Sequence, residues 1–193
     1  FKKNGMYFIK ISSNQGDKMT TYKDLLIDNL NRAYERFERA FNGVTIEEAD
    51  RFPVANQAPQ IKSMTWLAWH IARELDFQIA DLADEKPIWH NQNWKAEFPF
   101  TIADDAQDWA RSLSEARLIQ SDNREALFGY LKATTIAAIN YVETLIESSL
   151  DGIVDNNWTP AVTRGVRLVS IIDDASMHSG QVFYSRRLLG LVD

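Results

Sequence analysis

Asp174 and His178 are the two residues whose types and spacing best suit metal chemistry in this sequence of 193 residues. Side chains four positions apart on an α-helix lie on one face, with their Cβ atoms about 5–6 Å apart. A carboxylate oxygen and an imidazole nitrogen placed in this way can reach one divalent cation, because each binds such an ion at about 2.0–2.2 Å. A third ligand from a facing helix would complete a set that leaves positions open for water or substrate.

A separate segment supplies the remaining ligand of such a set. His70 lies in another helical pattern, and Glu74 follows it by one helical turn. Gln181 and Ser185 continue the helical stripe of Asp174, where their side chains could orient a ligand by hydrogen bonding. The spacing therefore favours a divalent-metal site in which Asp174 and His178 are joined by a residue that the second helix offers, His70 or Glu74.

A metal-free interpretation of the same residues stays open. His178 belongs to an otherwise mostly apolar helical seam, and a histidine in such a seam is often a hydrogen-bonded core residue. A buried acid–base pair of His178 with Asp174 is the next interpretation. His90 lies between Trp89 and Trp94 in an aromatic-rich segment, and we interpret it as a surface or packing residue.

Four amphipathic helices must position these residues. Apolar side chains recur at spacings of three and four over residues 21–41, 63–83, 122–150 and 164–189, as in the helices of a bundle. Asp122 and Glu125 predict a capping box that opens the third helix. On the second helix, Arg73, Asp76 and Ala80 are predicted to face away from the core.

Three further segments lie outside these helices. Residues 84–120 form a long aromatic-rich connection, in which residues 105–118 could form a short helix, and connections of this length usually serve a site or fold over one. Residues 153–163 are predicted to form a loop or a small hairpin. We interpret residues 1–18 as an N-terminal extension and residues 19–193 as one domain, an all-α four-helix bundle.

Composition and charge exclude several other classes of protein. The net charge is −6 and the basic residues are scattered, which disfavours nucleic-acid binding. No apolar run reaches the ~18–20 residues of a membrane span. The sequence has no cysteine, which excludes disulfides and thiolate metal sites and fits a reducing cytoplasm. We therefore expect a cytoplasmic protein that acts on a small molecule.

Two stretches resemble signatures of the DinB superfamily. Residues 64–74, MTWLAWHIARE, are similar to its second helix, and residues 172–186, IDDASMHSGQVFYSR, are similar to its fourth. The resemblance implies a DinB-type bundle in which His70 and His178 match the first and last members of a metal-binding histidine triad. Asp174 stands where the family has its middle histidine. A carboxylate there makes the ligand set harder, which shifts preference from nickel or copper toward zinc, manganese or iron.

The same resemblance implies a function. Characterised relatives are transferases or isomerases that use low-molecular-weight thiols, bacillithiol or mycothiol, with a metal acting on the thiol. The cofactors expected for this chain are therefore a divalent metal (Zn, Ni, Mn or Fe) and a low-molecular-weight thiol. The resemblance implies a metal-dependent thiol S-transferase acting on small electrophiles, with Glu74 and Gln181 supporting the ligands or the substrate, and a homodimer. A metal-dependent hydrolase and a non-catalytic bundle that binds metal or a small molecule are the alternatives.

Overall fold

Four long helices make up about half of the described residues in a computed structural model, which describes residues 20–100, 102–103 and 112–192. The long helices are α1 (Tyr22–Ala40), α3 (Met64–Ala83), α6 (Arg124–Thr144) and α7 (Arg164–Leu188). The connections contain the short helices α2 (Ile46–Ala49), α4 (Ile88–Asn91) and α5 (Leu113–Ala116), and 3-10 turns at Trp94–Glu97 and Glu147–Ser149. The strands β1 (Ile153–Asp155) and β2 (Val162–Thr163) pair antiparallel. The all-α prediction is confirmed.

The ends of the long helices follow local capping chemistry. Thr21 and Asp24 form a capping box at the start of α1, and Ser63 and Thr163 cap α3 and α7 with their side-chain oxygens. The capping box predicted at residues 122–125 is wrong, because the helix is capped by Asn123, whose side chain accepts the backbone N–H of Ala126. The predicted end of that helix is also wrong, since Leu145 adopts an extended backbone and stops α6 well before residue 150.

Helices α3 and α6 run in the same direction, which explains the long connection between them. The hydroxyl of Tyr141 donates to the carbonyl of Leu82, and the hydroxyl of Tyr130 donates to Asp76, so later residues of one helix meet later residues of the other. A helix of this size is about 30 Å long. The chain must return over that distance before α6 can begin, and residues 84–123 provide the return.

The connection packs on the side of α3 that was predicted to be exposed. Arg73, Asp76 and Ala80 are 2%, 3% and 7% exposed, so the prediction that they face away from the core is wrong. The physical reason is a second layer: Trp89, from α4, is fully buried and lies beneath the guanidinium of Arg73, which is 4.9 Å from its ring. The core therefore surrounds most of α3 instead of one stripe.

Asp76 is the polar anchor of this second layer. Its Oδ1 accepts the backbone N–H of Ile88 at 2.7 Å, and its Oδ2 accepts the backbone N–H of Trp89 at 2.8 Å and the hydroxyl of Tyr130 at 2.7 Å. Burial raises the pKa of Asp76, and these hydrogen bonds together with the nearby Arg73 charge act in the opposite direction. The carboxyl group thus fixes the start of the connection to both α3 and α6.

Three smaller predictions concern the connections and the beginning of the chain. Of the helix predicted over residues 105–118, the described residues contain α5, and residues 104–111 lie outside the described part. The hairpin predicted within residues 153–163 is confirmed. The predicted extension over residues 1–18 lies outside the described residues. Within the described ranges, no helix combines the length and the apolar character needed to cross a bilayer.

Candidate metal centre

His70, Asp174 and His178 meet between α3 and α7. One potential ligand atom from each residue lies within 4.8 Å of the other two, so the group could hold a metal ion. Asp174 Oδ1 is 3.4 Å from Nε2 of His178, and Asp174 Oδ2 is 3.8 Å from Nε2 of His70. The two histidine rings are 4.8 Å apart between centroids and nearly perpendicular, at 87°.

These separations fit the donor spacing of a small divalent cation. Donors held at about 2.1 Å from one ion stand about 3.0 Å apart in octahedral geometry and about 3.4 Å apart in tetrahedral geometry. The His178–Asp174 separation of 3.4 Å already has this value, whereas the His70–Asp174 distance of 3.8 Å is to the other carboxylate oxygen. Since single ligand atoms of the three residues lie within 4.8 Å of one another, the side chains must move closer together around an ion. The donor set, two imidazoles and one carboxylate, suits zinc, manganese and iron.

The ring of His70 is positioned by its neighbour one turn earlier. Trp66 stacks on His70 with 4.4 Å between ring centroids and 11° between ring planes. Trp66 is itself 7% exposed, and the ammonium group of Lys62 lies 5.5 Å from its ring. Since Ser63 accepts the backbone N–H of Trp66 at 3.0 Å, the first turn of α3 is fixed below the stack. The plane of the His70 imidazole is therefore set by packing.

The orientation of His178 is set by Gln181. The Nδ1 atom of His178 lies 2.6 Å from Oε1 of Gln181, and an amide oxygen can only accept, so Nδ1 carries the proton in this arrangement. The other ring nitrogen, Nε2, then faces Asp174. Such a contact on the far nitrogen is typical of histidines that bind metals.

Ser185 does not take part in the group, contrary to the prediction. Its hydroxyl donates at 3.0 Å to the carbonyl of Lys62, which precedes α3. The side chain thus ties the last turns of α7 to the beginning of α3. His90 is also outside the group: it is exposed on α4, with its ring 6.0 Å from that of Phe77.

Glu74 lies beside the three residues and belongs to a longer polar chain. Burial raises the pKa of Glu74, the hydrogen bond from Gln78 lowers it, Asp174 raises it electrostatically and His178 lowers it. Gln78 Nε2 donates to Glu74 Oε2 at 3.3 Å and Gln78 Oε1 accepts from Arg167 at 2.8 Å. The carboxyl group is therefore held in place from the side of the hairpin.

Gln78 and Arg167 are site neighbours that the sequence analysis missed. Arg167 also pairs with Asp155 of β1 at 3.3 Å, which connects the hairpin to the polar chain. Their spacing offered a clue: Gln78 follows Glu74 by four residues, and Arg167 precedes Asp174 by seven, so each lies on the helical stripe of a predicted site residue.

The group is buried on one side and open on the other. The side chains of His70 and His178 are 7% and 12% exposed, whereas that of Asp174 is 32% exposed. A molecule from solvent can therefore approach along the Asp174 side, while the imidazoles remain packed. Partial access of this kind suits a centre that accepts a further ligand.

The fold and the site define an all-α protein with a candidate His–Asp–His metal centre between two antiparallel helices. No protein-family model matches the chain, and no curated protein does. A solved structure, the crystal structure of the conserved protein of locus from Enterococcus faecalis, is 43% identical to it. The match has a TM-score of 0.83 and covers 89% of this chain and 98% of that one. The chain belongs to the same family as that protein.

Proposed function

We propose that this protein is a DinB-type four-helix bundle that holds a divalent cation with His70, Asp174 and His178 and catalyses transfer of a small thiol to an electrophile. The observation that carries the proposal is the convergence of these three side chains, from two helices, within 4.8 Å. The two stretches that resemble the DinB superfamily lie on α3 and α7, which bring them face to face at this group.

Asp174 determines which cation the site would prefer. A carboxylate in place of an imidazole adds negative charge and a hard oxygen donor. Zinc, manganese and iron accept such mixed sets, and nickel gains less from the exchange. The site therefore favours zinc, manganese or iron over nickel. The orienting contact from Gln181 to His178 supports a ligand role over a merely packed histidine.

Each residue of the site has a separate role in the proposed thiol transfer. A cation at this site would supply positive charge that lowers the pKa of a thiol at its open position. Glu74, whose pKa burial raises, is the group of this chain suited to take up the proton from the thiol sulfur. The sulfur then forms a bond to carbon of the electrophile, whose leaving group departs with its electron pair. The exposed side of Asp174 admits both reactants.

Metal analysis tests the proposal that His70, Asp174 and His178 bind a divalent cation. Metal-free protein is incubated with zinc, manganese, iron or nickel and freed of excess ion, and bound metal is counted by mass spectrometry. We expect stoichiometric binding that His178→Ala abolishes. His90→Ala is the matched control, because His90 is an exposed histidine remote from the group. Equal loss of metal in both variants, or no stoichiometric binding by the native protein, would refute the ligand assignment.

An activity assay tests the proposal that the protein catalyses thiol transfer to an electrophile. Metal-loaded protein is mixed with bacillithiol or mycothiol and a small alkyl halide or haloarene, and thioether formation is followed by chromatography. We expect a rate above the uncatalysed one that falls in Glu74→Gln. Hydrolysis of ester or amide substrates without any thiol requirement would instead identify a metal-dependent hydrolase. Metal binding without turnover of either kind would identify a non-catalytic metal-binding bundle.

A further inference from the structure

A cationic groove lies between α1 and α7, on the side of α7 that faces away from the metal group. The cavity measures about 550 Å³, and its lining includes Arg36 and Arg39 of α1 and Arg187 of α7. Ser179 and Phe183, also in the lining, are rotated by about 140–180° from Asp174 at 100° per residue. The groove and the metal group are therefore separate sites on one helix.

The charge of the groove is opposite to that of the chain. The net charge is −6, yet none of the residues that line the cavity is acidic. Among the described residues, the ion pairs of the structure use neither Arg36 nor Arg39. These two arginines are three positions apart on α1, so their side chains lie on neighbouring parts of one helix face. An arrangement of this kind is favourable once an anion lies between the guanidinium groups.

The existing contacts hold the arginines at the edge of the cavity. Arg36 Nη1 donates to the hydroxyl oxygen of Ser179 at 3.4 Å, and that hydroxyl donates to the carbonyl of Ser176 at 2.7 Å. The guanidinium of Arg39 lies 5.3 Å from the ring centroid of Phe183. Each guanidinium has five N–H donors, so these contacts use a small part of their capacity.

Stabilisation of the free carbonyl groups at the C-terminus of α1 does not explain why Arg36 and Arg39 lie in the groove. Basic residues near a helix C-terminus stabilise the free carbonyls and the helix dipole. Two other arginines already do this: Arg186 donates to the carbonyls of Ala40 and Asn42 at 2.6 and 2.9 Å, and Arg124 donates to the carbonyl of Phe41 at 2.8 Å. The arginines of the groove are additional to this pair.

We propose that this groove binds a small phosphorylated molecule through Arg36, Arg39 and Arg187. Planar guanidinium groups bind phosphate oxygens in a bidentate manner, and the two charges of Arg36 and Arg39 match those of a phosphate group. The side chain of Asn42 adds a neutral polar group to the lining, and Phe183 adds an apolar wall for the organic part of the ligand. The proposal is independent of the metal site.

Calorimetric titration of the metal-free protein with pyrophosphate tests the proposal. At constant ionic strength we expect saturable binding of one pyrophosphate per chain, with weaker binding of inorganic phosphate and much weaker binding of citrate. Arg36→Gln with Arg39→Gln should reduce the affinity by about tenfold or more for each guanidinium lost. Absence of saturable binding at millimolar pyrophosphate, unchanged affinity in the double variant, or equally tight binding of citrate would overturn the proposal.

A negative charge placed at Gly180 tests the electrostatic part of the proposal. Gly180 lines the groove and is exposed, and a Cβ atom added there meets nothing within 4 Å. Gly180→Ala should therefore bind pyrophosphate as the native chain does, whereas Gly180→Asp should bind it at least several-fold more weakly. Equal affinities in these two variants would contradict a site in the groove. His178→Ala should leave pyrophosphate binding intact, and loss in that variant would place the anion at the metal centre and overturn the proposal.

Discussion

Replacing Gln181 tests whether its hydrogen bond orients the ring of His178 for metal binding. The contact of 2.6 Å between His178 Nδ1 and Gln181 Oε1 holds the ring so that Nε2 faces Asp174, 3.4 Å away. Removing such an orienting partner typically weakens metal affinity by about 10–100-fold, which corresponds to about 1.4–2.8 kcal/mol. We therefore expect Gln181→Leu to bind zinc about 10–100-fold more weakly than the native chain, measured by competition with a fluorescent chelator.

The matched variant is Gln181→Glu, which keeps an oxygen acceptor at the same distance along the side chain. A carboxylate accepts the Nδ1 proton at least as well as an amide and makes the imidazole more basic. Its zinc affinity should equal or exceed that of the native chain. Gln181 is exposed, so both variants should change the free energy of unfolding without metal by about 0.5 kcal/mol or less. Native-like affinity in Gln181→Leu, or equal weakening in both variants, would refute the reasoning.

Three further predictions concern the ligand type, a buried carboxyl group and the anchor of the connection. Asp174→His replaces the hard oxygen donor with an imidazole, so the ratio of nickel to manganese affinity should rise, as measured by competition; an unchanged ratio would show that Asp174 is not a ligand. Burial raises the pKa of Glu74, so its contribution to stability is present at low pH and is lost as the pH rises through the folded-state value. The free energy of unfolding of metal-free Glu74→Gln, from urea titrations, should therefore increase relative to the native chain between about pH 4 and about pH 8, and a constant difference would contradict this. Tyr130→Phe removes the 2.7 Å hydrogen bond to the buried carboxylate of Asp76 and should cost about 1.5–3 kcal/mol of stability in the same assay, with metal binding unchanged.

Helical periodicity predicted the site because its residues repeat within single helices. Asp174, His178 and Gln181 occupy one stripe of α7, so their spacing alone indicated a common face. Their facing partner His70 could be named only from the second helical pattern and from the resemblance to a known family. That α3 and α7 run antiparallel, and so bring His70 opposite Asp174, is a property of the topology, which the residue spacing of either helix does not contain.

The residues that the sequence analysis placed wrongly all contact segments without a regular repeat. Arg73 and Asp76 were assigned to solvent because they lie opposite the apolar ridge of α3. In the folded chain, the connection after α3 covers them with Trp89. Ser185 shares a stripe with Asp174, yet the nearest acceptor is a backbone carbonyl before α3, and its hydroxyl binds there. Periodicity reports one apolar face per helix, and it contains no information about which loop covers another face.

The described part of the connection begins on a side of α3 away from the candidate metal centre. Asp76, the residue to which the connection is tied, is rotated by about 240° from His70 around α3, so the connection begins on a different side of that helix. The parallel arrangement of α3 and α6 obliges the chain to return along these two helices, where Trp94 of the connection lies against Gly129 of α6. The described part of the connection therefore begins away from the side where α3 meets α7, and there the side chain of Asp174 is 32% exposed. A molecule that approaches the group from solvent meets this carboxylate, which distinguishes the group from a histidine triad.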